Sequence, residues 1–516
     1  MLQTSETIDQ RADLLVIGGG INGVGIARDA AGRGHKVVLA EQADLAGATS
    51  SSSTKLIHGG LRYLESFDFR LVREALIERE RLLVMAPHII HPMQFVLPHV
   101  EGLRPRWEIR LGLFLYDHIG GRKRLPASRG VRLNASGLGQ ALRPGIDHGF
   151  VYSDCAVDDA RLVVLNAMDA AQRGASIHTR TKFLGAAVVD GHWRAELERQ
   201  DTQARITISA RAIVNAAGPW VEDILHLVPG SHNRTQVRLV KGSHIVVPRL
   251  YDGQHAFLLQ HPDGRVVFTI PYQDRFTLIG TTDVPYQGDP AAVAIGTEEI
   301  AYLCETVNRY FARSTSPTDV RWSYAGVRPL TDDEATSASK VSRDYKLELT
   351  EATAQPALLT VFGGKITTYR RLAEMALQKL QPFIGGTRQG WTDQAPLPGG
   401  DLPRADFAAF LISVQQRWPL LPKSLTQRLA RAYGTRISDI IGTARSIEDL
   451  GTHFGAGLTR SELDYLRTHE WARTAEDVLW RRSKLGLLMS AAEQTALASH
   501  LDQAGRAAGA AMAKDW

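Results

Sequence analysis

The sequence predicts a mixed α/β protein with a helical C-terminal region, and three observations carry that prediction. A strand–helix–strand unit punctuated by glycines opens the chain at 13–40. Residues 236–283 alternate as short strands joined by turns, and 404–514 is rich in Ala, Leu, Arg and Glu at helical spacing. At 516 residues the chain exceeds one compact core, so several domains are expected.

Taken in order, Asp13-Leu14-Leu15-Val16-Ile17 reads as a buried strand ending at a glycine triplet. A helix follows from Asn22 to Arg33 and stops at Gly34, a residue suited to the position after a helix end. Val37-Val38-Leu39-Ala40 is the second strand of a βαβ unit. Residues 68–85 place apolar residues at helical spacing among Arg and Glu. A strand through Ala212-Ile213-Val214 runs into Asn215-Ala216-Ala217-Gly218. Val237 to Val247 is β-rich, and 266–270 and 276–280 read as strands around the turn Tyr272-Gln273-Asp274-Arg275, a wall for a substrate site. Leu358 to Phe362 is a strand that ends at Gly363-Gly364 and starts a helix. Residues 386–403 hold Gly, Pro, Asp and Gln without periodicity and read as a linker. The expected plan is a discontinuous nucleotide-binding domain (12–85, 150–235, 350–385), a substrate domain (86–149, 236–349) and a helical domain (404–516).

Composition narrows the function. A net charge of +5 suits an anionic substrate or an anionic membrane surface, and no nucleic-acid-binding motif accompanies it. The two cysteines, Cys155 and Cys304, exclude a disulfide framework and a thiolate metal cage, so a reducing compartment is expected. Met1 to Arg11 is polar and acidic, unlike a secretory signal or transit peptide. No run of about eighteen apolar residues appears, so no transmembrane helix is expected. Segments 103–124 and 366–384 are basic and amphipathic, suited either to a lipid interface or to packing on a core.

Gly18, Gly20 and Gly23 supply the GxGxxG spacing, with Asn22 between them. The first glycine permits the tight turn, the second lets backbone approach a pyrophosphate, and the third lets helix pack on strand, with phosphate charge at the helix N-terminus. Glu41, at the end of the second strand, is placed to accept from ribose hydroxyls. Strand, glycines, helix, strand and acid in this order predict a Rossmann-type dinucleotide site. The motif does not separate FAD from NAD; its N-terminal position and the lack of a second fingerprint favour one tightly held FAD. Thr49-Ser50-Ser51-Ser52-Ser53-Thr54-Lys55 offers hydroxyls and amides for pyrophosphate or flavin edges, or is a solvated Ser-rich loop.

Beyond this motif, a series of segments carries a more specific pattern than the glycine spacing alone. They are Lys55-Leu56-Ile57-His58-Gly59-Gly60-Leu61-Arg62-Tyr63-Leu64, Tyr152-Ser153-Asp154 with Val157-Asp158-Asp159-Ala160-Arg161, and Asn215-Ala216-Ala217-Gly218-Pro219-Trp220. Lys241-Gly242-Ser243-His244, Ile279-Gly280-Thr281-Thr282-Asp283, Gly326-Val327-Arg328-Pro329-Leu330 and Phe362-Gly363-Gly364-Lys365-Ile366-Thr367-Thr368-Tyr369-Arg370 complete the series. Together, and in this order over nearly the whole chain, these segments resemble the FAD-dependent glycerol-3-phosphate dehydrogenases, and most closely the bacterial aerobic, respiratory-chain enzymes.

The resemblance implies an FAD-binding domain interleaved with an antiparallel-sheet substrate domain, and a small polyol phosphate, sn-glycerol 3-phosphate, as substrate. Arg62 and Lys365 are the expected phosphate clamp, with Tyr63 and Thr281 also on the substrate. His58 is the leading general base and Arg328 the group for the developing alkoxide, with Lys241 and His244 a second polar cluster beside them. Gly218 and the segment Gly363-Gly364-Lys365-Ile366-Thr367 are expected to line the flavin, through backbone amides at the C-terminal turn. The resemblance further implies quinone as acceptor, a homodimer, and a cytoplasmic location peripheral to the inner face of the cytoplasmic membrane. The alternatives are an oxidase on the same substrate, another FAD amine or amino-acid oxidase, and a non-catalytic flavoprotein. The short stretch from Arg328 to Gly364-Lys365 favours a dehydrogenase over an oxidase.

Overall fold

Leu14 to Ile17 reads as an unbroken apolar run because parallel neighbours flank it on both sides. It belongs to strand Ile8–Ile17, which pairs in parallel with Val37–Ala40 and with Arg205–Asn215. The computed structural model describes residues 8–65, 67–100, 104–231, 235–331, 344–350, 356–386 and 389–512. Among them, the first sheet runs in the order Lys346–Thr350, Ala357–Phe362, Arg205–Asn215, Ile8–Ile17, Val37–Ala40, Ser176–His178. The hairpin Thr181–Val189 and His192–Arg199 extends it antiparallel to Arg205–Asn215. Helices Ile21–Gly32, Asp159–Gln172 and Tyr369–Ile384 pack together on one face. Gly34 takes φ 93° just after the first of these, as its place at the helix end predicts.

The second sheet is antiparallel apart from one pairing, that of Ala256–Gln260 with Ile90–His99. Val237–Pro248 is its spine, paired along its length with Trp322–Thr331 and with Phe276–Gly280. Val266–Tyr272 and Phe276–Gly280 form the expected hairpin, with Gln273 and Asp274 at positive φ in its turn.

Pairing moves three of the expected boundaries. His148–Val157 and Leu56–Ile57 belong to the second sheet, although most of the one and all of the other fell in nucleotide-domain segments. Lys346–Thr350, drawn almost wholly into the substrate domain, pairs with Ala357–Phe362 in the first sheet. Composition does not show which sheet a strand's edge groups meet.

The C-terminal region is helical, with Phe407–Arg417, Lys423–Tyr433, Arg460–His469 and Ala491–Met512, plus a π-helical turn at Asp477–Arg482 and a small two-stranded hairpin. It does not stand apart: Leu425, Leu429, Tyr433, Leu463 and Leu466 share one buried cluster with Val24, Leu165 and Leu377. The expected linker is pinned to the first domain. Trp391 donates to the Asp29 carbonyl at 3.2 Å beneath the Arg28 and Arg173 guanidinium groups, and Leu397 N–H donates to Met85.

Helix Tyr369–Ile384 buries Leu372, Ala373, Ala376, Leu377 and Leu380 in that same cluster. Its apolar stripe is therefore core-facing and not available to lipid. Helix Arg106–Ile119 differs: Ile109, Leu113 and Tyr116 are buried, while Trp107, Leu111 and Phe114 are exposed by 67%, 51% and 50%.

Candidate active site

The C-terminal ends of the parallel strands meet along one crevice: Gly18 follows Ile17, Glu41 follows Ala40, Ala216 follows Asn215 and Gly363 follows Phe362. In open parallel sheets this edge receives ligands. A Cβ on Gly18 would stand 2.5 Å from the Ala216 carbonyl oxygen, and one on Gly23 would stand 1.9 Å from that of Gly18. These two glycines let strand, helix and neighbouring loop close on one another. Gly20 faces only the Ser50 hydroxyl, so its backbone is open to a ligand.

Ser50 Oγ accepts the Ile21 N–H at 2.9 Å, a cap supplied from a remote loop to a helix start that has no side-chain cap of its own. Glu41 accepts from Gly19 N–H at 2.6 Å and from Ala43 N–H at 2.7 Å. Burial raises its carboxyl above the ordinary carboxylate range, and those two amides offset only part of that shift. Asn22 Nδ2 donates to the Gly363 carbonyl at 3.1 Å, while its buried Oδ1 has no hydrogen-bond partner among the described residues. A bound cofactor would satisfy that atom. Gly218 borders the same crevice with nothing within 4 Å of a Cβ position. The residues fit an FAD: amides at a helix start for the pyrophosphate, Glu41 for the ribose, and Asn22 with the Gly363 turn further in.

The substrate side is assembled from three connecting segments, 58–63, 281–283 and 363–368, and from the strands Val237–Pro248, Val266–Tyr272 and Trp322–Thr331. His58 N–H donates to Thr367 Oγ1 at 3.3 Å, tying its segment to the one after Gly364. Lys365 Nζ lies 3.7 Å above the Tyr63 ring, so two expected phosphate contacts are neighbours, with half-buried Arg62 on the same short 3-10 turn as Tyr63. The His58 ring lies edge-on to Phe268, whose strand partner is Gly280, the residue before Thr281. Arg328 Nη2 donates to Thr281 Oγ1 at 2.9 Å and Nη1 to Asp283 at 2.7 Å. Its guanidinium lies over Gly242, where a Cβ would come within 2.3 Å. His244 is buried, stacked on Tyr324 at 4.8 Å and hydrogen-bonded to Thr54 Oγ1 at 3.0 Å. Burial, reinforced by Arg328 and Lys55, holds its imidazole neutral.

Three expectations change. Lys241 Nζ pairs with Glu299 at 2.7 Å. It sits on the face of its strand opposite Gly242 and His244, so it braces the site from behind and is not in the catalytic group. Glu299 also accepts from Thr282 and Ser243, which carries that brace to the Thr281 turn. Lys55 Nζ is engaged by Asp159 at 2.9 Å and by the Ser51 carbonyl, so its ammonium fixes the Ser-rich loop. The helix expected directly after Gly364 begins at Tyr369. Lys365, Ile366 and Thr367 thus lie in an intervening turn, with Ile366 packed against the core. The hydroxyls of Thr49 and Ser51 donate to the carbonyls of Val327 and Ala48 and keep only their acceptor side for a ligand.

Sequence reasoning missed the support behind Gly59. Its N–H donates to the Tyr116 hydroxyl at 2.7 Å, Tyr116 donates to Asp154 at 2.8 Å, and Arg79 donates to Asp154 at 2.7 Å. Burial keeps the Tyr116 phenol protonated. This network holds the His58–Tyr63 segment in place. Asp154 stands in one of the quoted segments, but nothing local pointed to Tyr116 or Arg79.

A glycine cradle on a parallel sheet, opposite a cation-lined wall from an antiparallel sheet, defines a dinucleotide-dependent oxidoreductase. A family described as "FAD dependent oxidoreductase" matches residues 13–370, and one described as "C-terminal domain of alpha-glycerophosphate oxidase" matches 391–512. The glycerol-3-phosphate dehydrogenase of Pseudomonas aeruginosa is 55% identical over 95% of this chain and 94% of its own length. The D-erythritol 1-phosphate dehydrogenase of Brucella abortus is 51% identical over 96% and 98%. The structure of the glycerol-3-phosphate dehydrogenase from Bacillus halodurans complexed with FAD superposes with a TM-score of 0.75 at 26% identity, covering 97% of this chain and 95% of that one. The chain belongs to the family of FAD-dependent glycerol-3-phosphate dehydrogenases.

Proposed function

We propose that the chain oxidises the C2 hydroxyl of sn-glycerol 3-phosphate to the ketone of dihydroxyacetone phosphate and passes the electrons to a membrane quinone. The observation that carries this reading is the convergence of Lys365 and Tyr63, beside Arg62, with the Arg328–Thr281–Asp283 group across the His58–Phe268 contact. A bound FAD would supply the hydride acceptor for C2. Lys365 and Arg62 bind the phosphate, with Tyr63 beside them. Thr281 and Arg328 orient the C2 oxygen, and Arg328 remains charged as negative charge develops there. His58 takes the hydroxyl proton. Asp283 holds the guanidinium fork on its mark.

The peripheral membrane reading is supported by the exposed stripe of Trp107, Leu111 and Phe114 beside exposed Arg106 and Arg110. Phe67, 76% exposed, lies on the adjoining turn, which Arg104 ties in through Glu65 at 2.6 Å. Among the described residues no helix is long and apolar enough to cross a membrane. The cytoplasmic face and the homodimer rest on the family resemblance. The short stretch from Arg328 to Gly364, of which 332–343 and 351–355 lie outside the described residues, favours a dehydrogenase over an oxidase.

D-erythritol 1-phosphate is a second reading, favoured by the Brucella abortus relative. The protein mixed anaerobically with each phosphate ester, and with glycerol, is followed by flavin absorbance at about 450 nm. Rapid bleaching by glycerol 3-phosphate alone is the expected result. Faster bleaching by D-erythritol 1-phosphate would replace the substrate, and bleaching by neither would overturn the reading.

A further inference from the structure

The loop 41–47 lies against the glycine turn on both sides. Glu41 takes the Gly19 N–H at its start, Ala46 N–H donates to the Gly19 carbonyl at 3.2 Å, and the Leu45 side chain packs where a Cβ on Gly19 would stand. What fixes this loop comes from the far end of the chain. Asp44, 3% exposed, accepts from Arg481 Nε at 2.6 Å and from Arg482 Nη1 and Nη2 at 2.7 and 2.8 Å. Both arginines end the π-helical turn Asp477–Arg482, an irregular geometry that places consecutive side chains on one target.

The same segment grips the first domain twice more. Arg180, whose N–H donates to the Ala43 carbonyl, pairs with Asp477 at 2.6 Å. Arg161 forms a bidentate, fully buried pair with Glu470 at 2.8 Å. Arg482 closes the arrangement by donating to the Glu470 carbonyl. Four buried or half-buried ion pairs from residues 470–482 thus reach the first domain, two of them at Asp44 in the Glu41 loop, one at Arg180 bonded to that loop and one at Arg161. Removing one partner of a pair this buried leaves an uncompensated charge behind, so the geometry depends on both partners being in place.

We propose that residues 470–482 form a clasp that retains the adenosine half of FAD by fixing loop 41–47 from outside, with Asp44 as the positioning residue through which it acts. The clasp gives the helical domain a part in holding the cofactor while it contributes no described side chain to the glycine turn. It rests on the placement of Glu41 at the ribose and is indifferent to which polyol phosphate is oxidised.

The holoenzyme is diluted below its melting temperature and FAD release is read from the rise in free-flavin fluorescence, with ADP affinity of the apoprotein measured in parallel. Asp44→Asn and the milder Arg481→Gln each release FAD about tenfold or more faster and bind ADP correspondingly more weakly, the scale set by losing one charge-assisted hydrogen bond. Arg428→Gln breaks the Arg428–Glu462 pair (2.6 Å) inside the helical domain. It lowers Tm but leaves FAD release unchanged. Wild-type release rates in both Asp44→Asn and Arg481→Gln, with native far-UV circular dichroism, would overturn the proposal. So would equal acceleration by Arg428→Gln, which would make the effect general destabilisation. Glu41→Gln tests the underlying placement separately: unchanged ADP affinity there removes the ribose contact, whatever Asp44→Asn does.

Discussion

At the scale of single residues the site turns on which cations face the substrate. Arg328 is held by Thr281 and Asp283 through both arms of its fork, a geometry that lysine does not reproduce. Arg328→Ala is expected to lower the rate of anaerobic flavin reduction by about a hundredfold or more, the scale of losing one preorganised charge stabiliser, with FAD still bound. Near-normal reduction would end its assignment to the alkoxide. Arg62→Ala is expected to raise KM for glycerol 3-phosphate with a smaller effect on kcat; an unchanged KM would remove it from the phosphate. Lys241 and Lys55 show how cations in specific motifs mislead. Each stands beside the site in sequence, yet each is committed to a carboxylate, Glu299 or Asp159. For Lys241 the signal was legible, because His244 and Lys241 differ in strand parity and cannot face the same side.

At the scale of elements, two basic amphipathic helices looked alike in sequence. The helix Tyr369–Ile384 spends its apolar stripe on the core, while Arg106–Ile119 has apolar residues on two faces and only one of them is covered. Burying a large apolar side chain stabilises association by about 1.5–3 kcal/mol. Trp107→Glu with Leu111→Glu is therefore expected to weaken co-sedimentation with vesicles of anionic lipid by about tenfold or more. Flavin reduction in detergent-free buffer should be unaltered. Undiminished vesicle binding would move the membrane contact elsewhere. The helix and second strand of the βαβ unit match the expectation to within a residue, and the first strand ends where expected but starts at Ile8 rather than Asp13. The glycine turn and helix stop are set by local backbone requirements, and the strand's start is not.

At the scale of the whole molecule, His88 sits at a seam. It is fully buried, with Gly399 of the former linker close to its ring, and burial together with Arg161 and Arg431 pulls its imidazole from 6.5 down to about 3. The unfolded chain takes up that proton as pH falls through about 6.5, whereas the folded chain resists until about 3. The unfolded state binds more protons between these values, so this contribution is complete above pH 6.5 and is lost as pH falls below it. His88→Gln is expected to flatten the fall of Tm between pH 6.5 and 5, and an unchanged slope would place the acid sensitivity on other groups. By itself the sequence determined the glycine turn, the first helix and its stop, the hairpin at 266–280, and a set of motifs specific enough to name the family. Those features depend on backbone conformations and residue types that neighbours in the chain impose. Only the tertiary structure decided which sheet His148–Val157 joins, which cations reach the crevice, that Tyr116 and Arg79 hold Gly59, and that Arg481 and Arg482 close on Asp44. Those are contacts between segments far apart in the chain, chosen by packing and by the need to pair every buried charge, and no local pattern carries them.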